Sequence, residues 1–190
     1  MRLGTPIADK LRPKSPRAAA VYEVACWIAG GAAVALGARF AVDVPSSPVP
    51  VTGQSLAVLL AGGVLGASRG ALAMTLYAVA GAAGLPLFVG GKSGIDHVTG
   101  PTGGYILGFI AAAAMVGALV ERGWDESFVK ALAAAVLGTC VMFAIGVWWL
   151  SSSVGGDDAL AQGLQPHLVG AALKAFVAAA VLWVMHRLAH

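Results

Sequence analysis

Between Gly90 and Tyr105 an otherwise oily chain reads GGKSGIDHVTGPTGGY, which sets a lysine, an aspartate and a histidine among six glycines. Three chemistries fit fragments of it. Gly90–Ser93 ends like a phosphate-binding loop, but that motif needs glycine at position 86, which is proline, so no nucleotide site is expected. Gly91–Gly94 fits the pattern around the nucleophile of intramembrane serine hydrolases, with Ser93 as nucleophile. That chemistry requires a histidine base on a neighbouring helix, and His97 and His167 both fall in or beside loops. The third is simple binding: glycine-rich turns expose backbone N–H groups at close range, and Lys92 offers a cation.

Polar residues elsewhere are read against plainer explanations. His186 and His190 have the i, i+4 spacing of a metal pair but no third ligand nearby, so a solvated helix end is expected and no metal. Asp157 and Asp158 sit among Gly and Ser and read as a solvated loop. Lys174 is different, because an ionisable residue inside an apolar segment costs roughly 2.5–3.5 kcal/mol to insert and usually faces a bundle interior or cavity.

The elements that must position these groups are membrane helices. Of 190 residues 58% are hydrophobic and only 11% charged, and mean hydropathy is +0.83. Soluble domains carry about a quarter charged residues. The 26 glycines among Ala, Val and Leu indicate helices packed through small side chains. Cys26 and Cys140 lie in apolar segments and are expected to be buried, unpaired thiols.

Residues 1–17, with three prolines and five basic residues, read as a flexible cytoplasmic tail, and 18–190 as one membrane domain. Apolar segments are expected at about 18–41, 55–66, 70–88, 103–120, 128–150 and 168–188. The second is short for a full span of about 20 residues. Three prolines in VDVPSSPVPVTGQ, residues 42–54, forbid regular helix and predict an extended or turn-like loop.

The result is an all-α, six-transmembrane-helix bundle with both termini on one side. Arg2, Lys10, Arg12, Lys14, Arg17, Arg69, Arg122, Lys130 and Arg187 then share that side, against Arg39 and Lys92 opposite. The positive-inside rule makes the termini cytoplasmic and turns the glycine loop, the proline loop and the 151–167 loop outward together. The same basic excess explains the net charge of +3 without nucleic acid. Ala25, Ala29, Ala33 and Gly37 form a small-xxx-small stripe on the first helix, suited either to internal packing or to a partner protein.

Three ordered blocks carry a resemblance over nearly the whole chain: PVPVTGQSLAVLLAGGVLGASRGALA (48–73), YAVAGAAGLPLF (77–88) and GPTGGYILGF (100–109). The chain resembles the BioY family, the biotin-specific S components of energy-coupling factor (ECF) transporters. The resemblance implies a six-helix bundle in the cytoplasmic membrane of a prokaryote, with no catalytic role and no cofactor. It also implies that biotin is captured from outside and that the bundle works with a T component and two ATPase subunits. Biotin itself demands a cation for its carboxylate, hydrogen-bonding partners for its ureido group and apolar walls.

The resemblance assigns Lys92 to the carboxylate and places Thr102, Gly103, Gly104 and Tyr105 along the pocket. Tyr77 is counted with them, and Lys174 matches the family's lysine in the last helix. Gln54 either bonds the ureido group or holds the proline loop closed. One departure stands out. Where the family commonly reads Pro-Phe-Leu-Pro-Gly-Asp-Leu-Leu-Lys, residues 166–174 read PHLVGAALK, so the acid three residues before the lysine is Ala171. Asp96 is a candidate replacement. An S component for another small vitamin, or an intramembrane serine hydrolase, are the alternatives.

Overall fold

The computed structural model describes residues 4–45 and 47–189. Its helices follow from where proline and glycine interrupt the apolar sequence. After a single turn, α1 (Ile7–Lys10), helix α2 (Pro16–Gly37) starts with proline in its first turn, where the missing N–H costs nothing. It ends before the proline-rich stretch, and Ala41, expected in the first span, lies outside it. That stretch is an extended hairpin in which β1 (Ala41–Val42) pairs antiparallel with β2 (Val51–Thr52), Val42 opposite Val51.

Helices α3 (Gln54–Leu65) and α4 (Ala67–Ala82) are joined by one residue, Gly66, at φ +86°. Only glycine adopts that conformation without strain. The first free N–H of α4, at Ala67, donates to Glu121 Oε1 at 2.8 Å, so a carboxylate from the far end of α6 (Gly103–Val120) caps it. Helix α4 stops at Ala82, short of the expected Phe88, because Gly84 turns left-handed and Pro86 follows.

A short helix α5 (Ile95–Thr99) precedes α6. Helix α7 (Phe128–Val154) is capped by Ser127, whose hydroxyl accepts from Lys130 N–H, and runs four residues beyond the expected 150. The expected 151–167 loop is mostly helical: after Gly155, α8 (Gly156–Gly163) and one 3₁₀ turn (Gln165–His167) lead into α9 (Leu168–Ala189). Among the described residues six helices are 12 residues or longer. Among the described residues four stretches are long and apolar enough to cross a membrane: α2, α6, α7, and the run 156–189.

Helix α6 is the central post. It is mostly buried and touches α3, α4 and α7, while α2 and α9 flank the group. At Gly108 a side chain would come within 2.9 Å of the Met142 carbonyl oxygen, so α6 and α7 approach at backbone distance. The outer faces are apolar: Val21, Ile28 and Leu36 on α2 and Val169, Leu173 and Leu188 on α9 are all exposed. Such a surface suits acyl chains. Cys140 belongs to it: Cys26 is buried as expected, but Cys140 is exposed on α7.

Part of the N-terminal segment, around α1, packs against the bundle. Ala8 is buried, and its carbonyl accepts from Tyr22 Oη at 2.9 Å. Arg69 forks onto both carboxylate oxygens of Glu23 and reaches Asp9 Oδ1 at 2.7 Å, which joins α1, α2 and α4. Lys10 Nζ donates to the Ala189 carbonyl at 3.2 Å, so the two chain ends lie at the same end of the bundle. Arg2 and His190 are outside the described residues; His186 instead has its Nδ1 2.9 Å from Asp125 Oδ2.

Candidate functional site

At the other end of the bundle the hairpin, the glycine loop, α6, α7 and α9 enclose a cavity of about 600 Å³. This is within the usual span of small-molecule sites, about 300–1,000 Å³. Two aromatic series supply its walls. Tyr77 meets Phe88 edge to face at 5.5 Å between ring centres, and Phe88 stacks on His97 at 4.8 Å. Opposite them, Tyr105, Phe143 and His167 make two edge-to-face contacts of 6.1 Å each. Such pairs fix ring orientation as well as burying area.

The polar groups arise from chain turns. Gln54 begins α3 directly after the hairpin; its Nε2 donates to Tyr77 Oη at 2.6 Å, and its Oε1 accepts from Thr52 Oγ1 at 3.2 Å. Lys174, two turns into α9, donates from Nζ to the Thr52 carbonyl at 2.6 Å and to Ser55 Oγ at 3.1 Å. An ammonium has three donors. Two are thus spent on the hairpin and α3, leaving one for the cavity that Lys174 lines.

The rim carries free charge. Arg39, Asp43 and Lys92 all line the cavity and are exposed. The Arg39 guanidinium donates to the Pro86 carbonyl at 3.0 Å, which links the end of α2 to the start of the glycine loop. Asp43 is the one carboxylate among the described lining residues, facing Arg39, Lys92 and Lys174. The electrostatic balance therefore favours an anion. His97 is held below the ordinary imidazole range by burial, with Lys92 adding to the effect. His167 is lowered by burial too, opposed by the carbonyls of Val49 and Pro50.

Of the residues expected at the site, Gln54, Tyr77, Lys92, Thr102, Tyr105 and Lys174 line this cavity. Gly103 and Gly104 do not. A side chain at Gly104 would strike Trp149 Cγ at 2.7 Å and the Ile145 carbonyl at 3.0 Å, so the smallness of this block serves α6–α7 contact. Asp96 is exposed in the first turn of α5 and is not part of the lining, whereas its neighbour His97 is. Ala171 does line the cavity.

Arg39, Asp43, His97 and His167 were not among the expected site residues. Asp43 lies in, and Arg39 just before, a proline loop already expected to face outward, and that was the signal available for them. Ser93 is exposed and makes no hydrogen bond to a histidine among the described residues, and His97 Nε2 is instead 3.4 Å from Thr102 Oγ1. No nucleophile–base pair forms there. The stripe on α2 divides: Ala25, Ala29 and Ala33 are exposed, while a side chain at Gly37 would lie 2.9 Å from the Gln54 backbone nitrogen.

Comparison with known proteins places this architecture. The chain superposes on the solved S-component for biotin from an ECF-type ABC transporter with a TM-score of 0.80, covering 92% of this chain and 95% of that one at 20% identity. The fold is therefore shared. A "Biotin transporter BioY" of Thermotoga maritima is 39% identical over 141 residues, 74% of this chain and 82% of the relative. Another of Rhizobium etli is 37% identical over 154 residues, 77% and 82% respectively. The BioY family model matches residues 12–190. With its apolar helices and its core of close-packed small residues, this multi-pass membrane protein belongs to the BioY family.

Proposed function

We propose that the protein is the biotin-capturing S component of a vitamin transporter. The observation that carries this reading is the cavity itself. It joins exposed cations at its rim to aromatic walls and, further in, a buried amide, a buried phenol and a half-buried ammonium. Biotin is built the same way, with a carboxylate, an apolar tail and bicycle, and a ureido group of two N–H donors and one carbonyl. Lys92 takes the carboxylate, because it lines the rim and no ion pair or hydrogen bond occupies its ammonium group among the described residues. The remaining proton of Lys174 donates to the ureido carbonyl. Thr102, Tyr77 and Tyr105 shape the pocket around the bicycle.

The bundle is read as six spans in the cytoplasmic membrane of a prokaryote, with both termini inside and the cavity opening outward. The shared end of the two termini and the placement of most Lys and Arg support this orientation. Energy comes from a T component and two ATPase subunits. The exposed Ala25, Ala29 and Ala33 of α2 offer the T component a surface on which a helix can approach closely.

Equilibrium binding of labelled biotin to purified protein tests the reading. Retention by wild-type protein, weakened at least tenfold in Lys92→Ala, supports it, whereas no retention, or tighter retention of another vitamin, overturns it.

A further inference from the structure

Two cations meet at the rim of the cavity, and the chain pairs neither with a counter-charge. Arg39 follows the end of α2, and Lys92 directly follows the 3₁₀ turn of the glycine loop (Val89–Gly91); both are exposed and line the cavity. They lie close together: a Cβ at Gly91, the residue before Lys92, would be 3.6 Å from Arg39 Nη1. Neither forms an ion pair among the described residues, whereas Arg12 and Arg69, at the opposite end of the bundle, are both matched by Glu23. Like charges gathered without a carboxylate between them repel, and an arriving anion removes that cost.

The Arg39 side chain is only partly used by the fold. A guanidinium carries five N–H donors in one plane. One, on Nη2, goes to the Pro86 carbonyl at 3.0 Å, and the others have no partner among the described residues. The backbone beneath it is fixed. Gly53 N–H donates to the carbonyls of Gly37 at 3.1 Å and of Phe40 at 2.9 Å, which brackets Arg39, and the next residue, Gln54, is buried in the cavity wall. The base of the Arg39 side chain therefore keeps a set position relative to Gln54, and such preorganisation lowers the ordering cost of binding.

Resting on the biotin reading above, we propose that Arg39 is a second ligand of the biotin carboxylate, its unpaired N–H donors closing on the anion from the α2 side while the Lys92 ammonium approaches from the glycine loop. The two arms belong to different elements that the Pro86 bond already joins, so a bound carboxylate ties the end of α2 more firmly to the glycine loop. A guanidinium fork matches a flat, charged acceptor, and the site therefore selects a free acid over its neutral amide.

The test measures equilibrium binding of biotin and of its primary amide, in which a neutral carboxamide replaces the carboxylate, to wild-type protein, Arg39→Ala and Arg39→Lys. Wild-type protein should bind the amide roughly 10- to 100-fold more weakly than biotin. Arg39→Ala should weaken biotin by about tenfold or more and the amide by no more than about twofold, and Arg39→Lys, which keeps the charge without the fork, should recover only part of the loss. In wild-type protein biotin should also protect Arg39 from modification by phenylglyoxal, read by peptide mass spectrometry, a measurement that needs no variant to fold. An equal loss of both ligands in Arg39→Ala is the mark of a residue that acts only by bracing Pro86. That result, equal affinity of wild-type protein for acid and amide, full biotin affinity in a folded Arg39→Ala, or an unprotected Arg39 would overturn the assignment while leaving the biotin reading intact. Wild-type protein that retains no biotin overturns both.

Discussion

The Lys174 ammonium donates to the Thr52 main-chain oxygen at 2.6 Å, so a charge two turns inside α9 holds the hairpin over the cavity. Lysine at this depth is costly in an apolar segment. The same group that the proposed function turns toward ligand is therefore also a clasp on the loop above it. Lys174→Met keeps the apolar stem but removes all three donors. It should weaken biotin binding by at least tenfold and also speed hydrogen exchange in residues 41–53, measured by mass spectrometry. A loss of binding with unchanged exchange would separate the two roles.

Gln54 and Tyr77 should matter mainly for stability. Tyr77 is 1% exposed, and its hydroxyl satisfies the Gln54 amide at 2.6 Å. Tyr77→Phe leaves that buried amide without its partner, at a cost of about 1–3 kcal/mol. Thermal unfolding in detergent should register the loss, and Gln54→Leu combined with Tyr77→Phe should recover part of it, since removing both partners is cheaper than removing one.

Charge at the rim should be felt selectively. Asp96→Asn should leave biotin retention within about twofold, a change on the scale usual for surface substitutions, because Asp96 lies outside the lining. Lys92→Ala should reduce it at least tenfold, mainly at low ionic strength where exposed charges are least screened. Equal effects of the two would argue against Lys92 as the carboxylate partner.

Acid should weaken binding. The His167 pKa is depressed by burial, so the ring stays neutral from the alkaline side down through the ordinary imidazole value near 6.5 and gains a proton only below it. A depressed imidazole favours the folded, ligand-ready state above that value, and the contribution is lost as pH falls. Protonation would put a hydrogen on the buried Nδ1, which has no acceptor among the described residues, and so loosen the ring that holds the Val49 carbonyl and the hairpin over the cavity. The other titratable or charged groups around the cavity are Arg39, Asp43, Lys92, His97, Tyr77, Tyr105 and Lys174. His97 is depressed as well, so the assay includes His97→Phe: the acid limb of biotin affinity should persist there and vanish in His167→Phe.

Close helix contact predicts a fifth outcome. Gly104→Val would drive a side chain into Trp149 and the Ile145 carbonyl, so it should lower yield and thermal stability by the 1–3 kcal/mol typical of overpacking. Here loss of binding would follow loss of fold.

Much of this was legible because membrane helices announce themselves by length and apolarity. The sequence boundaries for α6 agree with the structure, since Gly103 and Val120 are flanked by turn-forming and charged residues. That the proline loop, the glycine loop and the segment ending at His167 meet around one cavity was expected from placing them on one side of the bundle. Lys174 stood out as a charge in an oily segment, and Lys92 as the cation of a glycine loop. What was hidden depended on direction. Glycine in GPTGGY is compatible with exposing backbone to ligand or with admitting a neighbouring helix, and only the position of Trp149 shows that Gly104 does the second. Asp96 and His97 are adjacent in sequence, but their side chains point differently on one helical turn, so the loop's composition could not say which reached the cavity. His167 read as a loop residue because its significance lies in Val49, 118 positions earlier.

The hairpin is gripped by its main chain. Lys174 holds the oxygen of Thr52 and His167 the oxygen of Val49, and a carbonyl is the same in every amino acid. The path of the strand pair must therefore persist, with Pro48 and Pro50 stiffening it, while exposed side chains such as those of Val42 and Asp43 can be exchanged without releasing the clasp. New residues can be tried at the mouth of the cavity, and new ligands met there, before anything inside has to change.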